Sequence, residues 1–139
     1  MIIEPLTYAE YLEDAATYDV FTASALDYSY RPGDTVRAVV RAMEGQTAIG
    51  VRVVDDDQVV AFGVLEKLDT KGGKMLNIWT MAGDRMAEWL QDFLTQVESV
   101  AVREECMGVM LGGRLGWHKE LRHFGYGTDS VIMSKRVNV

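Results

Sequence analysis

The strongest pattern in the sequence is a set of apolar residues that recur at three- and four-residue intervals between Met86 and Ala101. This interval is the period of one face of an α-helix. The stripe comprises Met86, Trp89, Leu90, Phe93, Leu94, Val97, Val100 and Ala101. A helix with so much apolar surface on one face packs against a sheet, and each large side chain it buries stabilises the fold by roughly 1.5–3 kcal/mol. The rest of the chain must therefore supply that sheet.

Short apolar segments on either side of this helix supply two of the strands. Residues 75–81 precede the helix, residues 109–111 follow it, and Asp84 is placed to cap the helix start. A strand, a helix and a strand in that order usually form a right-handed crossover between parallel strands. We expect the unit that runs from Met75 to Gly116 to organise the fold.

The middle of the chain predicts further strands. Residues 48–54 and 59–65 are rich in β-branched side chains and are separated by a hairpin turn at Asp55-Asp56-Asp57-Gln58. Gly72-Gly73 marks a second turn before residues 75–81, so three antiparallel strands follow one another. The aspartates lack the alternate spacing, the glycine and the distal glutamate of an EF-hand loop. They predict a turn and no metal site.

The N-terminal part predicts an edge strand and a helix. Residues 1–6 are apolar with a proline near their end, which suits a sheet edge. Thr7 and Glu10 form a capping box, and the apolar spacing that follows predicts a helix about two turns long. A less regular connection then passes Tyr18 and Phe21.

A further helix precedes the hairpin strands. Asp34 is a candidate for its N-cap, and Gly45 lies where a left-handed residue commonly ends a helix. After the last strand of the central unit, a glycine-rich segment leads into a short helix that stops at Gly125, and residues 131–137 predict a final strand. The predicted order is β-α-α-β-β-β-α-β-α-β in one domain, residues 1–139. This is an α/β (α+β) fold with a mixed sheet of about six strands and helices on both faces.

The composition excludes some classes of function. There are 14 basic and 21 acidic residues, and the formal charge of −7 disfavours nucleic acid and anionic lipid as partners. No stretch approaches the roughly 20 apolar residues of a membrane span, and the first residues lack a signal-peptide pattern. Cys106 is the single cysteine, which fits a reducing compartment. We therefore expect a cytoplasmic protein.

The element order resembles the GNAT superfamily of acyl-CoA-dependent N-acetyltransferases over essentially the whole chain. The late segment is similar to the ending of small GNAT-like proteins encoded by tailed bacteriophages. Those proteins often read glycine-arginine-x-glycine-tryptophan, a short helix, glycine-tyrosine, and a strand that ends in lysine. The matching residues are Gly113-Arg114-Leu115-Gly116-Trp117, Gly125-Tyr126 and Lys135.

The resemblance implies a cofactor, acetyl-CoA or another acyl-CoA, between the strands at residues 75–81 and 107–111. Backbone N–H groups at the start of the following helix would hold its pyrophosphate. The implied cofactor-binding residues are Met81, Ala82, Gly83, Asp84 and Arg85, together with Arg114 from a late group of basic residues. Asp84 departs from the family's pattern and would weaken the binding of the pyrophosphate. A carboxylate about 4 Å from a phosphate repels it by roughly 1 kcal/mol even in bulk water.

Candidate catalytic residues also follow from the resemblance. The family commonly uses a tyrosine four residues before the glycine that ends the last helix, and this chain has Leu121 there. Tyr126 is the remaining tyrosine nearby, and Glu66, His118 and His123 are candidates for the general base. The two histidines are five residues apart and do not share one helical face, so no metal site is expected.

Three hypotheses about function remain open. The first is an enzyme that transfers an acyl group from acyl-CoA to an amine. The second is a catalytically inactive, phage-encoded protein that is virion-associated or binds a phage or host protein, with self-association through spare apolar residues. Its location would be the host cytoplasm or the virion. The third, which depends only on the charge of −7, is an acidic decoy or inhibitor of a host protein.

Overall fold

A computed structural model describes residues 1–27, 29, 33–112, 115–129, 133 and 135. Its strands are β1 (Ile2–Leu6), β2 (Ala48–Asp55), β3 (Gln58–Thr70), β4 (Gly73–Gly83) and β5 (Gly108–Leu111). Its helices are α1 (Tyr8–Glu13), α2 (Ala15–Leu26), α3 (Val36–Glu44), α4 (Met86–Arg103) and α5 (Leu115–Leu121), and a 3₁₀ turn, Arg122–Phe124, follows α5.

The strands form one sheet in the order β1-β2-β3-β4-β5. The first four are antiparallel neighbours, and β5 is parallel to β4. The predicted mixed sheet and the crossover through α4 are therefore confirmed. Five strands are described rather than about six, because the strand predicted at residues 131–137 falls almost wholly outside the described residues.

The apolar stripe of α4 packs on one face of this sheet, as predicted. Trp89, Phe93 and Val97 are each no more than 1% exposed and contact a core supplied by β2, β3 and β4. Phe93 lies so close to Gly63 that a Cβ there would be 3.0 Å from the ring. The central strand and the helix thus approach each other at a position where only glycine leaves room.

The first three helices cover the other face, so helices lie on both faces as expected. The rings of Tyr11, Tyr18 and Phe62 contact one another in series beneath them in tilted pairs, with ring centroids 5.9 and 4.8 Å apart. Arg52 of β2 ties this layer to the sheet edge, because its guanidinium donates to the hydroxyl of Tyr18 at 3.0 Å and to Glu4 at 2.7 Å.

Some local predictions are wrong. The connection expected around Tyr18 and Phe21 is helix α2, so three helices rather than two precede β2. The capping box of Thr7 and Glu10 is present and starts α1, but that helix ends at Asp14, whose ψ of 40° lies outside the helical range.

The cap residues of α3 also differ from expectation. Thr35, not Asp34, caps the helix by accepting a hydrogen bond from the Ala38 N–H at 3.1 Å. The carboxylate of Asp34 instead accepts from the indole N–H of Trp79 at 3.2 Å. Gly45 has φ −76°, and the left-handed residue is its neighbour Gln46 at φ 61°.

The aspartate-rich segment is the predicted hairpin turn. Asp56 and Asp57 have φ of 51° and 63°, which is the conformation that a tight two-residue hairpin requires and that aspartate tolerates. This turn places Asp55, the last residue of β2, against the start of α4.

Candidate functional site

Strands β4 and β5 are paired only over part of β4. Their register runs from Met75 opposite Gly108 to Ile78 opposite Leu111, whereas β4 continues to Gly83. Within the described residues, the second half of β4 therefore has no paired strand on its β5 side. The position beyond Ile78 and Leu111, where the pairing of the two parallel strands stops, is called here the opening between β4 and β5.

A β-bulge in β4 lies at the point where the pairing stops. Against β3, Thr80 pairs with Val64 and Ile78 pairs with Leu65, so Trp79 is an extra residue. A bulge bends its strand and increases the local twist. It accounts physically for the separation of β4 from its parallel neighbour beyond Ile78.

The N-terminus of α4 follows immediately on this unpaired half of β4. The residue before the helix, Arg85, is left-handed at φ 59° and contributes no side-chain cap. In the part of the chain that the structure describes, the N–H groups of Met86 and Ala87 have no acceptor, as is usual for a first helical turn. Free donors at the positive end of the helix dipole form a place where an anion is favoured.

The prediction that Asp84 caps α4 is wrong. Its backbone is held instead: the Asp84 N–H donates to the carbonyl of Val60 at 2.9 Å, and its own carbonyl accepts from the indole N–H of Trp89 at 2.7 Å. The Asp84 side chain is exposed, two residues before the first free N–H group of the helix in sequence.

Gly83 has a structural reason to be glycine. A Cβ built on it would stand 2.6 Å from the carbonyl oxygen of Val60 and still closer to the Cβ of Ala61 on β3. Real Cβ atoms do not approach backbone so closely. The glycine is thus required by the contact between β3 and β4, whether or not a phosphate approaches it.

The guanidinium of Arg85 is bound to carboxylates. Its Nε and Nη2 donate to the two oxygens of Glu88 at 2.6 and 2.9 Å, and Nη1 contacts Asp55 at 2.7 Å. These partners raise the pKa of Arg85, and the guanidinium lowers the pKa of Glu88. Two carboxylates thus bind one guanidinium, so an incoming anion must compete with them for it.

The predicted cofactor-binding residues are therefore largely in one place. Met81 and Ala82 are half-buried at the end of β4, and Gly83, Asp84 and Arg85 are exposed at the turn into α4. Gly83, Asp84 and Arg85 are called here the corner between β4 and α4. Arg114 lies outside the described residues, so its position relative to this corner stays a prediction.

Glu66 lies on the face of the sheet that α1, α2 and α3 cover. It is opposite Ala48, a member of the core beneath those helices, and opposite Asn77 on β4. The Asn77 amide, 7% exposed, donates to Glu66 Oε1 at 2.9 Å. Asn77 is paired with Met110 on β5, one residue before the strands part, so Glu66 is one strand away from the opening.

Tyr126 is on the opposite face and at the far end of α4. Its hydroxyl donates to Glu98 Oε2 at 3.2 Å, and burial, followed by the charge of Glu98, raises the pKa of Tyr126. Glu98 is more than three helical turns from Met86, about 18 Å along the axis. The structure therefore does not bring Tyr126 and Glu66 together.

The remaining candidates come from the last helix. His118 lies on α5, but its side chain is outside the described part, and His123 is exposed in the 3₁₀ turn. Leu121, which stands where the family has its tyrosine, is 4% exposed and packs in the core beneath α4. An apolar, buried side chain at that position has no proton to give.

Thr80 is a polar residue of this region that the sequence did not single out. It is 3% exposed, and its hydroxyl has no hydrogen-bond partner in the described residues. An unsatisfied buried hydroxyl is costly, by roughly 1–3 kcal/mol. Thr80 lies just past the bulge, on the unpaired half of β4. The sequence could not predict this position, because the bulge depends on the pairing of β4 with β3.

Two further structural findings bear on function. Among the described residues, no three His, Cys, Asp or Glu side chains are arranged to hold a metal ion. None of the helices there combines the length and the apolar character that a membrane crossing requires.

Comparisons with known proteins bear on the fold. No protein-family model matches the sequence, and the search of curated protein sequences also finds no match. The fold, however, is similar to that of many solved structures. One is a predicted acetyltransferase with acetyl-CoA from Clostridium acetobutylicum, at TM-score 0.72 and 13% identity, which covers 96% of this chain and 95% of that one.

Two more solved structures show the same likeness. A ribosomal-protein-alanine N-acetyltransferase from Brucella melitensis biovar Abortus has TM-score 0.70 and 14% identity, with 99% of this chain and 100% of that one covered. An aminoglycoside acetyltransferase from an uncultured soil metagenomic sample, in complex with sisomicin, has TM-score 0.68 and 9% identity over 99% and 96%. At such identities the likeness concerns the fold alone: this chain has the fold of the GNAT acetyltransferases.

Proposed function

We propose that this protein binds an acyl-CoA at the opening between β4, β5 and α4 and transfers the acyl group to an amine. One observation carries the proposal: β4 leaves β5 after Ile78 and runs directly into a helix whose first N–H groups, on Met86 and Ala87, are free in the described residues. Such donors at a helix N-terminus suit a pyrophosphate. The solved structure from Clostridium acetobutylicum holds acetyl-CoA on the same fold.

In this proposal the corner residues divide the work. The N–H groups of Met86 and Ala87 take the pyrophosphate, while Arg85 stays with Glu88 and Asp55 and fixes the turn. Glu66, oriented by the amide of Asn77, accepts the proton of the attacking amine from the α2 side of the sheet. His118 and Tyr126 are not needed for these steps. The proton that the departing thiolate requires then comes from water, because Leu121 cannot supply it.

Acetyl-CoA binding tests the proposal directly. A ligand at 100 times its dissociation constant stabilises the folded state by about 2.7 kcal/mol, which is measurable as a thermal shift and by calorimetry. Asp84→Asn removes an exposed carboxylate at the turn into α4 and should tighten binding about two- to fivefold. The matched control Asp69→Asn changes an exposed aspartate at the other end of β3 and should leave affinity unchanged.

The roles of the catalytic residues need a separate measurement. Glu66→Gln should lower kcat for acyl transfer by a factor of about 10²–10⁴ while leaving the dissociation constant of acetyl-CoA unchanged. If neither heat nor thermal shift appears with millimolar acetyl-CoA, for the wild type and for Asp84→Asn alike, the proposal is wrong.

A second function is favoured by the way Arg85 is engaged. Its guanidinium is bound by Glu88 and Asp55, and Leu121 stands where the family commonly has its proton-donating tyrosine. Both features suit a protein that has the acetyltransferase fold but no catalytic activity. We propose as the alternative a non-catalytic binding module, whose partner would be a phage or host protein given the resemblance of its late segment to phage-encoded proteins. Stable capture of a phage structural protein by a chain that ignores acetyl-CoA would support this alternative over the enzyme.

A further inference from the structure

A second cleft lies at the C-terminal end of α4, away from the opening between β4 and β5. It is lined by the end of α4, the start of β5 and the segment that follows the 3₁₀ turn, and its volume is about 390 Å³. This volume is within the range of small-molecule sites, about 300–1,000 Å³. Because α4 has 18 residues, the cleft is well over 15 Å from the free N–H groups at its other end.

The walls of the cleft are apolar. Val109 and Phe124 form part of its lining and are half-buried against the main core. Val102 and Met107 stand at its edge and are 79% and 71% exposed, which makes them unusual for large apolar side chains. Methionine adapts its shape to a ligand more readily than other apolar residues. These four side chains offer contact area to the apolar body of a ligand.

The charged side chains among the described residues of the cleft are acidic. Glu98 and Asp129 contribute carboxylates, and no lysine, arginine or histidine is among the described residues that line it. The hydroxyl of Tyr126 donates to Glu98 Oε2 at 3.2 Å, and Glu98 is one of the residues that line the cleft, so this hydrogen bond orients a carboxylate of the lining. Since no metal-binding group of side chains is present among those residues, the charge suits an organic cation rather than a metal ion.

We propose that this cleft binds a small organic amine with an apolar body, such as an aralkylamine. Its ammonium group donates to Glu98 and lies near Asp129, and its ring packs between Val102, Met107 and Phe124. The ring of Tyr126 adds a cation–π face. The overall charge of −7 attracts such a ligand. This proposal is independent of acyl-CoA binding, which uses the other end of α4.

Amide chemical shifts of the full chain, followed by NMR during titration at low salt, test the proposal. The probes are phenethylamine, phenethyl alcohol and hydrocinnamate, which share a ring and differ in charge. We expect phenethylamine to shift the amides of Val102, Gly108 and Gly127 and to leave those of Gly83 and Ala87 in place. One ion pair at an exposed site changes affinity by up to about fivefold, so the amine should bind about three- to fivefold more tightly than the alcohol, and the acid most weakly.

Two matched substitutions separate the cleft from a general charge effect. Val102→Lys puts a cation at its edge, whereas Val20→Lys puts the same cation on α2, where Val20 is 69% exposed. Both positions are exposed, so both variants should fold. Val102→Lys should weaken the amine about three- to fivefold and Val20→Lys should not, while Glu98→Gln should bring the amine to the level of the alcohol. Equal affinities of the amine and the alcohol, equal effects of the two lysines, or shifts confined to the start of α4 would overturn the proposal.

Discussion

At the scale of single residues, the corner between β4 and α4 shows how one residue can satisfy two demands. Gly83 suits close approach of a phosphate, yet its contact with Ala61 and Val60 already requires a glycine. Arg85 suits an anion, yet it is bound to Glu88 and Asp55. The residue types alone therefore do not identify a cofactor site. What distinguishes the corner is backbone geometry, which is the free N–H groups beyond a left-handed residue.

The structural demand on Gly83 can be measured without any ligand. Gly83→Ala should lower the free energy of unfolding by about 1–3 kcal/mol in urea denaturation, because its Cβ is forced against backbone atoms of β3. Gly112→Ala is the matched control, since a Cβ there meets nothing within 4 Å. The double variant Gly83→Ala/Ala61→Gly should lose less unfolding free energy than the sum of the losses in the two single variants, because the Cβ of Ala61 that the new Cβ would contact is removed. Equal stabilities of Gly83→Ala and Gly112→Ala would contradict this account.

At the scale of elements, periodicity decided which predictions succeeded. Helix α4 was predictable because its stripe is regular, and the hairpin at Asp56 and Asp57 because two runs of β-branched residues flank it. Helix α2 was missed because it buries only Tyr18 and Thr22, one turn apart, and its other apolar residues lie all round it. The cap of α4 and the bulge at Trp79 were missed because contacts with β3 set them, and those contacts join residues distant in sequence.

A matched pair of valines tests the burial of the α4 stripe. Val97 is 0% exposed and Val102 is 79% exposed on the same helix, so the same substitution has two expected outcomes. Val97→Ala should cost about 2–3 kcal/mol of unfolding free energy, through lost burial and the cavity left behind. Val102→Ala should stay within about 0.5 kcal/mol or stabilise slightly, since alanine favours helix more than valine does. Urea unfolding of both variants measures these two changes in unfolding free energy. Similar losses in the two variants would mean that the stripe does not face the core as described.

At the scale of the whole molecule, one acidic protein carries two proposed sites that prefer ligands of opposite charge. The opening between β4 and β5 would receive an anionic cofactor, although Asp84 and Glu88 are at its edge and the chain carries a charge of −7. The cleft at the other end of α4 would receive a cation under the same field. The shared fold of the acetyltransferases explains neither preference, because a fold hosts many activities and the site chemistry decides among them.

The opposite charges of the two ligands give opposite dependences on salt. Raising ionic strength from about 10 mM to about 150 mM shortens the screening length from about 30 Å to about 8 Å. Repulsion of acetyl-CoA by the acidic chain is then reduced, so its affinity should rise about two- to threefold, whereas attraction of phenethylamine is reduced and its affinity should fall by a similar factor. Calorimetric titrations of both ligands at the two salt concentrations measure these changes in affinity. We expect Asp84→Asn to reduce the change in the affinity for acetyl-CoA, and Glu98→Gln to reduce the change in the affinity for phenethylamine. If acetyl-CoA instead bound more weakly as salt was added, ion pairs with basic side chains would outweigh the repulsion, and the proposal that the N–H groups of Met86 and Ala87 hold its pyrophosphate while Arg85 stays with Glu88 and Asp55 would be wrong.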